Sequence, residues 1–321
     1  MPTPFMISII VLNYNGKKHL ESSIPALQKL TYPNHEIIVV DNGSSDSSVE
    51  YLNQFSNIRI VKNNKNLGYS KGKNQGVEES KGKYILLMDN DIVINDPSTI
   101  EQLLKLSQDK NDNCFISLPC LDSGQEKTVG YGGFGFRYFL SNNKPVSVKA
   151  LEKCDHYNIS GLIGANIFCA RNNWSALGGF DTSQPFNIDD CDLGFRAWLL
   201  GYSCYLYSKT YTNHIGIATR VDNSQWCWKY KYHFSGIMRV IAKNLLWYNA
   251  WLFGLAFFIL EIIKTLKQSI TRKSLCPVGS FFWSIGLFLI KLPETLKLRK
   301  EIQSKRVINK DTFLFIKKPK F

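Results

Sequence analysis

The stretch YILLMDNDIVI, residues 84–94, ends an apolar run with Asp89 and Asp91 on either side of Asn90. Aspartate is a poor strand residue and is costly to bury unpaired, so two acids at this point need a purpose. One reading is an Asx turn that closes the strand. The other is a hard-cation site, in which paired carboxylates hold Mg2+ or Mn2+ and gather the phosphates of a substrate. A second acidic cluster, Asp189, Asp190 and Asp192, opens the stretch IDDCDLGFRAWLLGY (188–202). Its apolar residues recur at helical spacing and Gly201 marks a stop, so the acids sit where they stabilise a helix N-terminus.

The elements that must carry these groups are visible upstream. Apolar, β-branched runs occur at MISIIVLN (6–13), EIIVVD (36–41), NIRIVK (57–62) and YILLMD (84–89), the first three separated by helix-compatible segments. Near-continuous apolar strands alternating with helices predict an α/β fold with a mostly parallel sheet covered on both faces. Ligands of such sheets bind beyond the carboxyl ends of the strands. There the sequence puts NYNG, DNGSSD, NKNLGYSKGKNQG and DNDIVIND, four polar clusters aimed at one crevice. Further on, GYGGFGFRYF (130–139) reads as a loop or short hairpin, NISGLIGANIFCA (158–170) as a strand, RNNWSALGGFD as a short helix and turn, and SCYLYS (203–208) as another strand.

The chain has 321 residues, 44% hydrophobic, which excludes a disordered protein. Its net charge of +13 is unevenly placed, because residues 231–321 hold 17 Lys+Arg against 4 Asp+Glu and residues 1–230 hold 22 of each. The same C-terminal part carries two uncharged runs of 17 residues, 244–260 and 274–290, flanked by Lys and Arg and set with Trp247, Tyr248, Trp251 and Trp283. Each is at the lower limit for a spanning helix. Three readings stay open: buried core helices, in-plane or re-entrant helices on an anionic leaflet, and a spanning hairpin. The cations flank apolar runs and form no continuous polar stripe, which argues against nucleic acid. Eight scattered cysteines without a paired spacing suggest reduced thiols at a cytosolic face. The opening MPTPFMISIIVLNYNG has no basic segment before its apolar stretch and reads as a first strand.

In order and spacing, SIIVLNYNG, IIVVDNGSSD, NKNLGYSKGKNQGVEESKGKYILLMDND and GGFDTSQPFNIDDCDLGFRAWLLGY resemble the family 2 glycosyltransferases, above all their rhamnosyltransferase-like branch in bacterial surface polysaccharide assembly. The resemblance runs over about residues 6–220. It implies a GT-A fold, Rossmann-like, in a catalytic domain of residues 1–230 with a nucleotide-sugar half to about 110 and an acceptor half from 111. Beyond the resemblance, residues 231–321 are expected from their composition to form a basic, helical, membrane-associating region. By position, Asn13 and Asn15 meet the nucleotide, and Asp41 holds the base with Asn42 and Asp46 beside it. Asn66, Gly68 and Asn74 line the nucleotide and donor sugar. The family's Asp-x-Asp becomes Asp89-Asn90-Asp91, with Asp91 the metal ligand, Asp89 a ligand to metal or ribose, and Asn90 on the nucleotide-sugar side. His214 falls where many GT-A enzymes carry a late histidine on the metal, which is Mg2+ or Mn2+.

Asp189-Asp190-x-Asp192 falls on the family's Glu-Asp-x-Asp pattern. An acceptor hydroxyl is a weak nucleophile, so a carboxylate must take its proton as it attacks the anomeric carbon. The resemblance gives that role to Asp190, with Asp189 as runner-up because it is shorter than the family's Glu; Asp192 either buttresses the helix start or contacts the acceptor, and Gly164 is on the acceptor side. The expected activity is an inverting, non-processive hexosyl transfer. The donor is a nucleotide-diphosphate sugar, dTDP- or UDP-linked, and rhamnose is a candidate sugar. The acceptor is a glycan or a polyprenyl-linked glycan, and the enzyme works at the cytoplasmic face of the cell membrane. A homo-oligomer stays open, and so does a nucleotide-sugar-binding protein of the same fold without turnover. QWCWK (225–229) lacks the Gln-x-x-Arg-Trp of processive synthases, and GYGGFG (130–135) does not follow the first strand of a βαβ unit, so it is no dinucleotide fingerprint. The C-terminal region from 244 on is expected to be removable without loss of nucleotide binding.

Overall fold

Four strands follow one another as the apolar runs require: β1 (Ile7–Asn13), β2 (His35–Asp41), β3 (Ile58–Lys62) and β4 (Tyr84–Asp89). They are joined through helices α1 (Lys17–Leu27), α2 (Ser48–Leu52) and α3 (Tyr69–Glu78). The computed structural model describes residues 5–122, 128–130, 148–183, 188–216 and 223–316. Most of the Gly-rich 130–139 stretch lies outside them.

Next come β5 (Ile92–Ile94), α4 (Thr99–Asp109), β6 (Cys114–Ser117), β7 (Cys120–Asp122), β8 (Thr128–Gly130), α5 (Val148–Leu151), β9 (His156–Asn158) and β10 (Asn166–Ala170). They are followed by α6 (Arg171–Leu177), α7 (Asp189–Leu199), β11 (Ser203–Tyr207), β12 (Thr212–His214), α8 (Asn223–Asn244), α9 (Trp247–Arg272) and α10 (Cys276–Ser304). Eight strands form the main sheet in the order β3-β2-β1-β4-β10-β6-β11-β9. β1 to β4 run parallel, and β11 runs parallel to β6. β10 runs against both its neighbours, and β9 runs against β11. The mostly parallel α/β sheet is therefore as expected. A second sheet, β5-β12-β7-β8, stands beside it.

Register brings the polar strand ends together. Asn13 pairs with Asp41, and Leu12 with Asp89, so the tips of β2, β1 and β4 lie side by side. In the small sheet His214 pairs with Ile92, which sets it next to Asp91. Close packing holds α3 on the sheet: a Cβ on Gly76 would stand 2.3 Å from Ile10 Cγ2, and one on Gly72 2.5 Å from Leu12 Cδ1.

Three expectations change. NISGLIGANIFCA is not one strand but β9, a loop over 159–165, and β10. The boundary drawn at 230 falls inside α8, whose Tyr230, Phe234 and Ile237 share a core with Cys191, Phe195 and Leu199 of α7. Cys227 on α8 and Cys276 on α10 are disulfide-bonded, a pairing across 49 residues that scattered spacing could not reveal. The other six cysteines are free thiols.

Candidate active site

The loop after β1 and the loop after β2 are tied to each other. Asn13 Nδ2 donates to Asp41 Oδ1 (2.9 Å) and Ser44 Oγ (3.2 Å), while Ser44 donates its hydroxyl to Asp41 Oδ1 (2.6 Å) and its N–H to Oδ2 (3.1 Å). Asn13 and Asp41 are both buried. Asn15, at φ +49°, accepts the Ser45 N–H on Oδ1 (2.8 Å). Asp46 faces two helix starts, accepting the Lys17 N–H of α1 (3.0 Å) and the Ser48 N–H of α2 (3.1 Å). A carboxylate so held is a good capping group, and burial, which would raise its pKa, is outweighed by the Ser48 and Lys17 hydrogen bonds that keep it below the ordinary carboxylate range.

Asn42 organises the next loop. Its Nδ2 donates to Asn66 Oδ1 (2.9 Å) and Gly68 O (3.1 Å), and its Oδ1 accepts from Asn63 Nδ2 (3.2 Å) and the Leu67 N–H (3.0 Å). Gly68, at φ +89°, precedes α3 in a conformation that L side chains rarely adopt. A cleft of about 560 Å³ opens here, lined by Asn42, Asn66, Gly68, Tyr69 and Asp189, with Tyr14 and Trp228 also on its wall. Asn74 is not on this cleft. Its amide donates to Phe180 O and accepts from the Phe180 N–H, both at 2.9 Å, so it clamps the Gly-Gly-Phe-Asp turn that leads to α7.

At the tip of β4 the two acids have different partners. Asp89 Oδ1 lies 2.6 Å from Nζ of Lys73, a lysine of α3 with no exposed surface. The same ammonium donates to Tyr69 Oη (2.7 Å) and to Gly164 O (2.8 Å), so an ion pair and two hydrogen bonds hold it. Asn90 Nδ2 donates to Asn13 Oδ1 (2.7 Å) and stays in the nucleotide-loop network. Asp91 Oδ2 stands 3.4 Å from His214 Nε2, and Asp91 Oδ1 is buried without a hydrogen-bond partner. Burial raises the Asp91 pKa first, with His214 pulling the other way and Asp89 adding to the rise.

The second cluster faces the first. Ile188, at φ +75°, turns the chain sharply into α7, an unusual backbone for a β-branched residue. Asp190 Oδ2 accepts the Gly164 N–H (3.0 Å) and Oδ1 accepts the Cys191 N–H (2.8 Å). Gly164 thus holds Asp190 on its N–H and Lys73 on its carbonyl. Asp189 Oδ1 is buried and unpartnered, and burial followed by the Asp190 charge pushes its carboxyl up to about 8. Burial also raises Asp190, against the two backbone N–H bonds. Asp89, Tyr69, Gly164, Asp189 and Asp190 line one cleft of about 280 Å³. Asp192 points elsewhere. Fully buried, it pairs with Arg196 Nε (2.8 Å) and Lys243 Nζ (2.9 Å) and accepts from Asn244 Nδ2 (2.7 Å), which is a structural network at the α7–α8 junction.

Lys73, Tyr69 and Lys243 are the groups that sequence reasoning passed over. For Lys73 a signal existed. It stands between Gly72 and Gly76 on the helix face pressed to the sheet, and a lysine buried there requires an acidic partner.

Comparison with known proteins follows this geometry. The family model described as Glycosyl transferase family 2 matches residues 8–168. Over 115 residues the chain is 34% identical to a glycosyltransferase, GlyG, of Streptococcus pneumoniae, covering 35% of this chain and 38% of that protein. The chain spans less than half the length of the curated relatives it matches. Among solved structures, the 1–349 fragment of S. aureus TarS in complex with UDP superposes with a TM-score of 0.59 at 16% identity, covering 96% of this chain and 90% of that one. A mannosyltransferase from Pyrobaculum calidifontis, solved with GDP-Man and Mn2+, gives 0.55 at 15% identity over 93% and 85% of the two chains. At such identities the likeness is one of fold, and the fold is GT-A.

Proposed function

The chain belongs to glycosyl transferase family 2, and from that premise we propose that it moves a single sugar, with inversion, from a nucleotide-diphosphate sugar to a glycan or lipid-linked glycan acceptor. The observation that carries this reading is the cleft in which the strand-tip acid Asp89 faces Asp189 and Asp190 across about 280 Å³. The 560 Å³ cleft, which shares Tyr69 and Asp189 with it, is the right size and polarity for a nucleotide diphosphate.

Asp190 is the proton acceptor in this scheme. Its two backbone N–H bonds favour the carboxylate, whereas Asp189 at about 8 stays protonated at neutral pH. The Asp190 carboxylate takes the hydroxyl proton as the acceptor oxygen attacks the anomeric carbon. The bond to the diphosphate breaks on the opposite side, and configuration inverts. Asn42 and Asn66 shape the nucleotide wall, Asp41 ties Asn13 and Ser44 together behind it, and Tyr69, kept a phenol by burial and the surrounding acids, closes the floor between the two clefts.

A divalent cation fits the donor set. Asp91 offers a buried oxygen without a hydrogen-bond partner, and His214 adds an imidazole beside the other oxygen. These two residues would hold Mg2+ or Mn2+, which when bound supplies positive charge to the departing diphosphate. Asp89 has one oxygen engaged by Lys73 and leaves the other for ribose or metal.

The test is a thermal-shift screen of UDP-, dTDP- and GDP-sugars with Mn2+, dTDP-rhamnose among them, followed by transfer assays with the sugar that binds. A melting shift with one nucleotide and transfer abolished in Asp190→Asn supports the reading. Binding without transfer to any glycan in the wild type would reduce the protein to a nucleotide-sugar binder.

A further inference from the structure

Two helices of the C-terminal region, α9 and α10, are long and apolar enough to cross a membrane by length and composition. Their packing points elsewhere. Of the 17 uncharged residues from 244 to 260, Asn244 and Leu245 are buried at the end of α8 and Leu246 precedes α9. The uncharged part of α9 is then Trp247–Leu260, about 21 Å at 1.5 Å per residue, against a hydrocarbon core of about 30 Å. One face of α9 is engaged along its length: Gly254, Phe257, Glu261 and Thr265 are buried, with Phe257 stacked on Phe234 (5.8 Å) and Tyr230 Oη donating to Glu261 (2.7 Å). On the opposite face Leu252, Leu255, Ile259, Ile263, Leu266 and Ile270 are 51–78% exposed. Their spacing of three and four residues makes them one stripe, so this helix turns its apolar face to the outside.

We propose that this stripe lies in the plane of an anionic bilayer, with α9 embedded sideways in the headgroup–acyl boundary and not spanning it. Charge favours that partner over a second copy of the chain. The whole excess of +13 resides in residues 231–321, and Lys267, Arg272 and Lys273 follow along the stripe's C-terminal half. Trp247 and Trp251 are exposed at its start, where indoles suit the interface. Exposed apolar stripes with flanking cations bind anionic lipid by buried area plus electrostatics. Two like-charged copies would repel.

Contact with lipid also bears on the site. α8, on which α9 rests, holds the segment before α7: Arg239 donates to Ser183 O (2.8 Å) and Oγ (2.7 Å), and Lys243 pairs with Asp181. Docking of α9 therefore fixes the Asp190 cleft relative to the bilayer, and an acceptor carried by a membrane lipid is presented to it from that side. This last step rests on the proposed glycosyl transfer; the docking itself does not.

The test uses the full chain with vesicles of phosphatidylglycerol and phosphatidylethanolamine in equal parts, against phosphatidylcholine alone. The wild type sediments with the anionic vesicles, and less so as salt rises. The variant Leu255→Gln/Ile259→Gln/Leu266→Gln, altered only at exposed positions, binds them at least about tenfold more weakly, with unchanged melting and nucleotide affinity. Lys267→Gln/Lys273→Gln weakens binding to anionic vesicles alone. Undiminished binding by the stripe variant overturns the proposal. So does wild-type protein that resists alkaline carbonate extraction as a spanning protein does, or a solution dimer that the stripe variant breaks. Vesicle binding as expected with no sugar transfer would fail the functional reading and leave docking standing.

Discussion

Asp189 and Asp190 are adjacent in the chain, yet their surroundings hold them differently. Asp190 receives two backbone N–H bonds, and Asp189 has a buried oxygen that receives none. Replacing Asp190 by Asn should lower kcat by about 10²–10⁴-fold, the usual contribution of a positioned base, with donor affinity unchanged by calorimetry. A loss confined to KM would contradict that role. Asp189 gives a stability signature instead. Its folded value, about 8, lies above the ordinary 3.8, so folding takes up a proton between those values and stability falls as pH rises through that window. Asp189→Asn should therefore raise the melting midpoint at pH 8 by about 2–4 °C and leave it unchanged near pH 4. Equal shifts at both pH values would reassign the strain. Lys73 makes the third case. Lys73→Met strips Asp89 and Gly164 of their ammonium and should cost about 2–3 kcal/mol in urea melts. That is below the figure for a fully buried pair, because Asp89 is partly exposed.

Elements succeed in this fold where sequence pattern and packing agree. β1, β2 and β4 were legible because unbroken β-branched and aliphatic runs have few other uses, and the polar tips followed from strand polarity. The loop over 159–165 was not. Its Ile159, Leu162 and Ile163 are buried as deeply as strand residues, so hydropathy alone cannot tell them from β10, and only Gly161 and Gly164 mark the break. Asn74 makes a related case: its place beside the nucleotide segment suggests a ligand, and the helix turns its amide onto Phe180. α3 also carries a testable contact. Gly76→Val would drive side-chain atoms into Ile10 and Val40, where a bare Cβ already meets methyls at 2.3 and 3.0 Å. Overpacking of that kind should destabilise by about 1–3 kcal/mol and loosen the nucleotide loop that α3 anchors, read as a lower melting point and weaker UDP binding together.

Across the whole molecule, composition separates residues 231–321 from the rest more sharply than packing does. The charge break is real, but charge is a surface property and says little about which apolar faces meet. The described structure joins the two parts through a second core: Phe195 of α7 lies 4.7 Å from the Phe313 ring, Ser160 is hydrogen-bonded to Phe313 O, and the Val307 N–H reaches Leu199 O (2.9 Å). Arg306 pairs with Asp311 at 2.6 Å, and Asp311 accepts the Leu246 N–H (2.9 Å), so the tail closes over the end of α8. The expectation that everything from 244 on could be removed treated the region as an appended anchor. Its packing argues for a different outcome. Cutting there would uncover Phe195 and Leu199 under α7 and leave Asp192 without Asn244, and burying such side chains is worth about 1.5–3 kcal/mol each. The truncated chain should aggregate or melt without a cooperative transition, and should lose nucleotide binding with its fold. The triple stripe variant keeps every one of these contacts and should differ from wild type only in its affinity for lipid. A truncated protein that melts cooperatively and still binds nucleotide would show that the catalytic sheet closes its own core, and that α8 to α10 lie on it without supporting it.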